Sequence, residues 1–434
     1  MSKSRIDTPI LPFALITSLF LLWGLANNMT DTLLAAFKRI MSMSDAQTSL
    51  IQIASYGLGY FLFALPAAIY IKKFSYKSGV LLGLGLYTIG CFLFYPSMLT
   101  GNYYHFLGAL WILFGGLSVL ETAANPYIIA MGREETGTRR LNFAQSFNPL
   151  GSIMGVVLSQ IFILSELNRA SAEERAAMAP EELQKIQYGE LNAVTMTYVS
   201  IGAILLILWT IILITKMPKA ADESKILDLK GTIKRLLSNR NYTMGVVAQF
   251  LYVGAQIGVW SFTIRYAMEE LKLEQIDLGF GKTPEQVAAR YYTAALILFV
   301  SSRFICTFLM RYINPERLLT WAAVLASVST LFVIFGHGMV GVIALVSVSA
   351  FMSLMFPTIF GIASKGLGED SKIASSGMIM AIVGGAVITA IQGRVSDLTG
   401  SINIAYSVPL VCFLIIAFYG GFIRHQNKAL NQAG

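Results

Sequence analysis

The spacing of its charges constrains this chain more than any other feature. No Asp, Glu, Lys or Arg occurs in residues 46–71, 78–120, 141–165, 191–215, 241–264, 318–364 or 398–423. A helix rises 1.5 Å per residue, so roughly 20 apolar residues cross about 30 Å of hydrocarbon. Several of these runs each hold one crossing, and 78–120 and 318–364 are long enough for two each. With 55% hydrophobic and 13% charged residues, a soluble fold of this length would lack the polar surface to cover its apolar side chains.

The runs predict an all-α membrane protein with twelve transmembrane helices, at 10–37, 46–71, 78–99, 103–129, 141–164, 192–215, 243–269, 291–311, 318–335, 338–361, 374–396 and 403–423. Lys3 and Arg5 precede the first run and no small-residue cleavage site follows, so that run reads as a retained helix. If both termini are cytoplasmic, inside segments hold 21 Lys and Arg and outside segments hold eight, and this bias sets the expected orientation. The net charge of +8 is therefore a topology signal rather than a nucleic-acid surface. The segment 166–190, charged and rich in helix formers, is expected as a surface helix on the outer side.

The longest basic segment, 216–242, divides the chain into two six-helix halves, 1–215 and 243–434. A weak repeat supports the division. Pro126 and Pro357 are offset by 231 residues and Gly151 and Gly384 by 233. Two such halves joined by a basic loop follow the plan of major-facilitator transporters, which hold their substrate near the midplane.

Two acids stand out inside apolar helices. Asp31 lies in LWGLANNMTDTLLAAF, and Glu121 follows 43 residues without a charge. A charged carboxylate within a span costs several kcal/mol unless it is paired or hydrated, which marks a functional site. Burial also brings proton binding near neutral pH within reach. Amides surround these acids in the sequence: Asn27, Asn28, Asn125, Asn142, Gln145 and Asn148. Asn28 and Asp31 share a helix face, as do Gln145 and Asn148. Groups that both donate and accept suit a polyhydroxyl ligand, and Trp23, Trp260 and Phe356 offer rings to stack on a sugar. Three arginines within or at the ends of helices need partners. Arg265 is one turn from Glu269 and Glu270, Arg394 is three residues from Asp397, and for Arg303 an acid on another helix is expected.

The three cysteines (Cys91, Cys306, Cys412) fall in apolar runs, and the three histidines (His105, His337, His425) lie in short loops or the tail. Neither set has metal-ligand or catalytic spacing, so no metal site, cofactor or enzyme is expected.

The stretches LWGLANNMTDTLL, LETAANPY, RLNFAQSFNPLG, AQFLYVGAQIGVWSFTIRYAMEE and FPTIFGI resemble the L-fucose–proton symporters of the major facilitator superfamily, from the first helix to the last. The resemblance implies proton-coupled sugar uptake by alternating access across a bacterial inner membrane, by a protein that works as a monomer. It implies that Asp31 takes the coupling proton and that Glu121 joins sugar binding to that proton. It also implies sugar contacts at Trp23, Asn28, Gln145, Asn148 and Trp260. Two positions depart from the pattern. Phe356 stands where a fucose permease has Tyr before Pro-Thr, which keeps galactose and glucose open as alternative sugars. Lys72 and Lys73 replace the wider superfamily's Asp-Arg pair, an oddity that fucose permeases share.

Overall fold

The computed structural model describes residues 8–41, 59–168, 170, 172–218, 228–275 and 284–433. Among the described residues the regular structure is entirely helical, as an apolar surround demands: each backbone N–H and C=O must find its partner within its own segment. Eleven helical stretches are long and apolar enough to cross a membrane, and they fall on eleven of the twelve predicted spans. Of the remaining prediction, 46–71, the first half lies outside the described residues and the second half is helical.

The first part of the chain contains α1 (Ile10–Ile40), α2 (Phe61–Lys73), α3 (Tyr76–Thr100) and α4 (Tyr103–Ala130). Local chemistry sets their ends. Ser75 and Ser78 form a capping box at the start of α3, Gly101 ends it at φ 62°, and Asn102 caps α4 through the Tyr104 N–H.

Helices α5 (Gly137–Gln145) and α6 (Phe147–Phe162) follow, then α7 (Ala172–Ala177) and α8 (Pro180–Ile214). The segment 166–190 is not the simple surface helix that its composition suggests. Arg175 and Glu190 form an ion pair with side chains only 2% exposed, and Glu190 also accepts the Asn168 N–H at 2.8 Å. The opposite charges neutralise each other, and this is what lets both leave water.

The later part contains α9 (Leu229–Ser238), α10 (Arg240–Glu270), α11 (Pro284–Leu309), α12 (Pro315–Phe335), α13 (Met339–Met352), α14 (Met355–Ala363), α15 (Ser371–Met380), α16 (Gly384–Thr399), α17 (Ile402–Ala405) and α18 (Ser407–Ala433). Four spans expected as continuous are broken. The breaks fall at Ser146, at Ser353–Leu354, at the tighter turn Ala381–Val383 and at Tyr406. Ser146 comes three residues before Pro149, and Ser353 and Leu354 come four and three residues before Pro357. A proline lacks the N–H that would bond to the carbonyl four residues earlier. The carbonyls of Gln145 and Ser353 therefore lose their intrahelical donors.

The chain divides into two compact units: residues 1–132 with 147–227, and residues 133–146 with 228–434. The short helix α5 thus packs as part of the second unit. In the first unit α1 and α6 approach so closely that only glycine fits between them. A Cβ on Gly24 would stand 1.9 Å from the Asn148 carbonyl oxygen, and one on Gly151 would stand 1.8 Å from that of Leu21. Close approach through small residues is the usual basis of helix association in lipid.

Candidate functional site

In the first unit the chemistry centres on Glu121, in the interior of α4 and 1% exposed. The stripe Phe114, Ser118, Glu121 and Asn125 recurs at helical spacing and so lies on one face of α4. Tyr60, just before α2, meets this stripe three times. Its hydroxyl donates to Glu121 Oε1 at 2.7 Å, its backbone carbonyl accepts from Ser118 Oγ at 2.9 Å, and its ring packs edge-on to Phe114 at 6.1 Å. Asn125 Nδ2 donates to the Glu121 backbone carbonyl at 2.9 Å. The second carboxyl oxygen, Oε2, is buried and has no hydrogen-bond partner. No ion pair reaches Glu121 among the described residues. One oxygen is held and the other is open, in surroundings where an unsatisfied polar atom costs about 1–3 kcal/mol. Such a carboxyl can take up a proton or accept a ligand hydroxyl.

The other expected site residues of this unit lie on the tightly packed α1 and α6. Trp23 is 8% exposed and its indole N–H has no partner, and neither has the Asn27 side-chain oxygen. Asn28 is half-buried and engaged with neighbouring groups. Asn148 is half-buried on α6, and the close contact at Gly24 brings its backbone against α1. Asp31 falls within α1, but its side chain lies outside the described ones.

In the second unit the expected residues Gln145, Trp260 and Phe356 gather around Arg303 of α11, which is 3% exposed. Arg303 Nε donates to the Ser353 carbonyl at 2.6 Å and Nη1 donates to the Gln145 carbonyl at 3.0 Å. Its guanidinium lies over the Phe299 ring at 4.5 Å, and Phe299 packs edge-on against Trp260 at 4.9 Å. Trp260 Nε1 donates to Ser349 Oγ at 3.2 Å. Phe356 stands edge-on to Tyr252, with ring centroids 6.3 Å apart. Asn142 and Thr358 bond to each other on both sides, at 3.1 and 3.3 Å, and tie α5 to α14. Nearby, Gln249 is fully buried with both amide atoms unpartnered, and the buried Tyr252 side chain lies beside the Arg303 guanidinium.

The arginine expectations need correction. Arg303 finds no acid among the described residues; backbone carbonyls take its Nε and Nη1 donors. Arg265 makes no ion pair among the described residues, because Glu270 is engaged by the Gly338 N–H and Asn403 Nδ2, each at 2.6 Å. Arg394 does not pair with Asp397. Sequence reasoning missed Tyr60 altogether, since a tyrosine among apolar residues carries no distinguishing pattern. It could have found the partners of Arg303: Pro149 and Pro357 announce two open carbonyls within apolar runs, the same setting as a charge that lacks a nearby acid in sequence. No group of three or more His, Cys, Asp or Glu side chains placed to hold a metal ion occurs among the described residues.

Comparison with known proteins agrees with this architecture. Residues 16–388 match the model of the Major Facilitator Superfamily. The chain is 42% identical over 422 residues to an L-fucose-proton symporter of Haemophilus influenzae, covering 95% of this chain and 96% of that protein. It is 32% identical over 405 residues to a glucose/galactose transporter of Brucella abortus, covering 93% and 92%. The crystal structure of the Escherichia coli fucose:proton symporter superposes with a TM-score of 0.87 at 40% identity, covering 96% of this chain and 99% of that one.

Proposed function

The chain belongs to the major facilitator superfamily, and within it to the family of the fucose symporters, and on that premise we propose that it is a proton-coupled symporter that imports L-fucose. It is a multi-pass membrane transporter rather than an enzyme. The observation that carries the reading is Glu121, a membrane-buried carboxyl with one oxygen held by Tyr60 and the other open. The share of identical residues with an L-fucose-proton symporter, 42%, against 32% with a glucose/galactose transporter supports fucose over those hexoses.

In this reading the two halves, 1–215 and 243–434, give access to the sugar alternately from either side of a bacterial inner membrane. Both termini face the cytoplasm, and the protein acts as a monomer. Asp31 carries the coupling proton. A charged Asp31 opposes the closed, desolvated state, so turnover of the loaded carrier follows proton uptake. Glu121 accepts a sugar hydroxyl through Oε2 and couples binding to the proton. Trp23, Asn28, Asn148, Gln145, Trp260 and Phe356 are the further sugar contacts in this reading. The rings pack on the apolar face and the methyl group of the deoxyhexose.

Uptake of labelled L-fucose into proteoliposomes, with and without an imposed proton gradient and with D-galactose and D-glucose as competitors, tests the reading. Accumulation of fucose that requires the gradient is the expected result. Stronger competition by galactose or glucose than by unlabelled fucose would replace the sugar. In Asp31→Asn, accumulation should vanish while exchange of sugar across the membrane survives. Glu121→Ala should lose fucose binding by calorimetry; unchanged affinity and transport would remove Glu121 from the site.

A further inference from the structure

We propose that Arg303 is a positioning residue for the sugar site, a clamp that closes the two backbone carbonyls opened by Pro149 and Pro357. This rests on the fucose reading above only for what the clamp serves.

The inference starts from the absence of an N–H at proline. Pro149 has none to offer the carbonyl of residue 145, and Pro357 has none for residue 353. Those two carbonyls, of Gln145 and Ser353, are the ones that receive Arg303 Nη1 and Nε. Two prolines far apart in the chain thus leave openings that one side chain fills. The coincidence has an electrostatic logic. Gln145 ends α5, and Ser353 lies just past the end of α13. The C-terminal carbonyls of a helix carry partial negative charge, so two helix ends together offset the charge of a guanidinium that has no acid beside it among the described residues. The geometry also calls for arginine. Its planar fork holds several N–H groups in fixed directions and can serve two acceptors on different segments at once.

The clamped carbonyls belong to the segments that carry site residues. Gln145 itself is one, and Phe356 lies one turn beyond Ser353. Through Phe299, Arg303 also backs the ring of Trp260. Removing the guanidinium would leave every one of these groups in place chemically and free the backbone that aims them.

The test exploits the fact that an alanine restores what a proline lacks. Arg303→Met removes both donors. Adding Pro149→Ala and Pro357→Ala supplies an N–H to each carbonyl from within the helix. Melting temperature and L-fucose affinity are measured on the purified full chain, the latter by calorimetry. Arg303→Met is expected to melt earlier and to bind L-fucose about tenfold more weakly, the scale of a lost hydrogen bond to a charged group. The triple variant is expected to recover most of the melting temperature and to bind within about threefold of wild type, a recovery that loss of a generic packing residue would not show. Wild-type melting and affinity in Arg303→Met would overturn the proposal, as would no recovery of melting temperature in the triple variant. Arg303→Lys keeps the charge and loses the fork, so full wild-type behaviour there would make charge alone the cause and also overturn it. If the wild-type protein binds no L-fucose, the reading of the substrate fails, and the recovery of melting temperature still decides the clamp.

Discussion

The two compact units each bury a charge-bearing side chain within a membrane helix, and they hold it in opposite ways. Glu121 is held at one oxygen by a phenol and is left open at the other. Arg303 has its donors on two backbone carbonyls and an aromatic ring over its face. Neither has an ion-pair partner among the described residues. The difference separates a group available for exchange from a group committed to structure. A carboxyl with a free oxygen can gain and lose a proton or a hydroxyl without dismantling its surroundings. A guanidinium that closes two helix ends cannot leave without orphaning them. The first suits a coupling site and the second suits the frame around one.

The sharpest way to break this contrast is to neutralise each charge in turn and measure stability beside function. Arg303→Met should cost about 3 kcal/mol of stability, because two buried carbonyls at about 1–3 kcal/mol each lose their donors. Glu121→Gln should cost under about 1 kcal/mol, since the amide fills the same space and can still accept from Tyr60, yet proton-driven accumulation should stop. Equal stability losses in thermal unfolding would erase the distinction.

A finer probe addresses how Glu121 is held. Tyr60→Phe keeps the ring against Phe114 and deletes only the hydroxyl. It should weaken L-fucose binding by roughly tenfold. In a Glu121→Ala background the same change should do little, because its partner oxygen has gone. Additive effects in that double-mutant cycle would show that Tyr60 acts elsewhere.

The smallest expected effect lies outside the membrane. Arg235 of α9 meets Asp370 with two hydrogen bonds, at 2.7 and 2.8 Å, and Thr232 adds a third at 3.0 Å. The Asp370 hydrogen bond raises the guanidinium pKa above its ordinary value. Because Arg235 is exposed, Asp370→Asn should lower the melting temperature only slightly, and the difference should vanish in about 1 M salt, where the screening length falls to roughly 3 Å. A loss as large as that of Arg303→Met would mean that charge pairing, rather than burial, sets the scale of these contributions.

Much of the fold was legible because a membrane writes its demands into composition. Charge-free runs of sufficient length predict spans, and eleven of them are found as helices among the described residues. The breaks within spans were less legible. Pro149 and Pro357 were visible in the sequence, but Pro66, Pro96 and Pro126 sit inside helices that continue through them. Whether a proline bends, breaks or is absorbed depends on which neighbour takes the freed carbonyl, and that neighbour comes from a distant segment. For the candidate site, Glu121 stood out because a lone acid in an apolar run has a large, local cost. Tyr60 did not, because a tyrosine incurs little penalty in such a run and its role appears only when its hydroxyl reaches an acid 61 residues away.

The sequence by itself determined that the chain is helical, that it spans a membrane and that Glu121 must be satisfied there, since desolvation acts on each residue regardless of its neighbours. Tertiary structure alone decided what satisfies it, and what satisfies Arg303. Hydrogen bonds have a short reach and a direction, and so depend on which segments packing brings together.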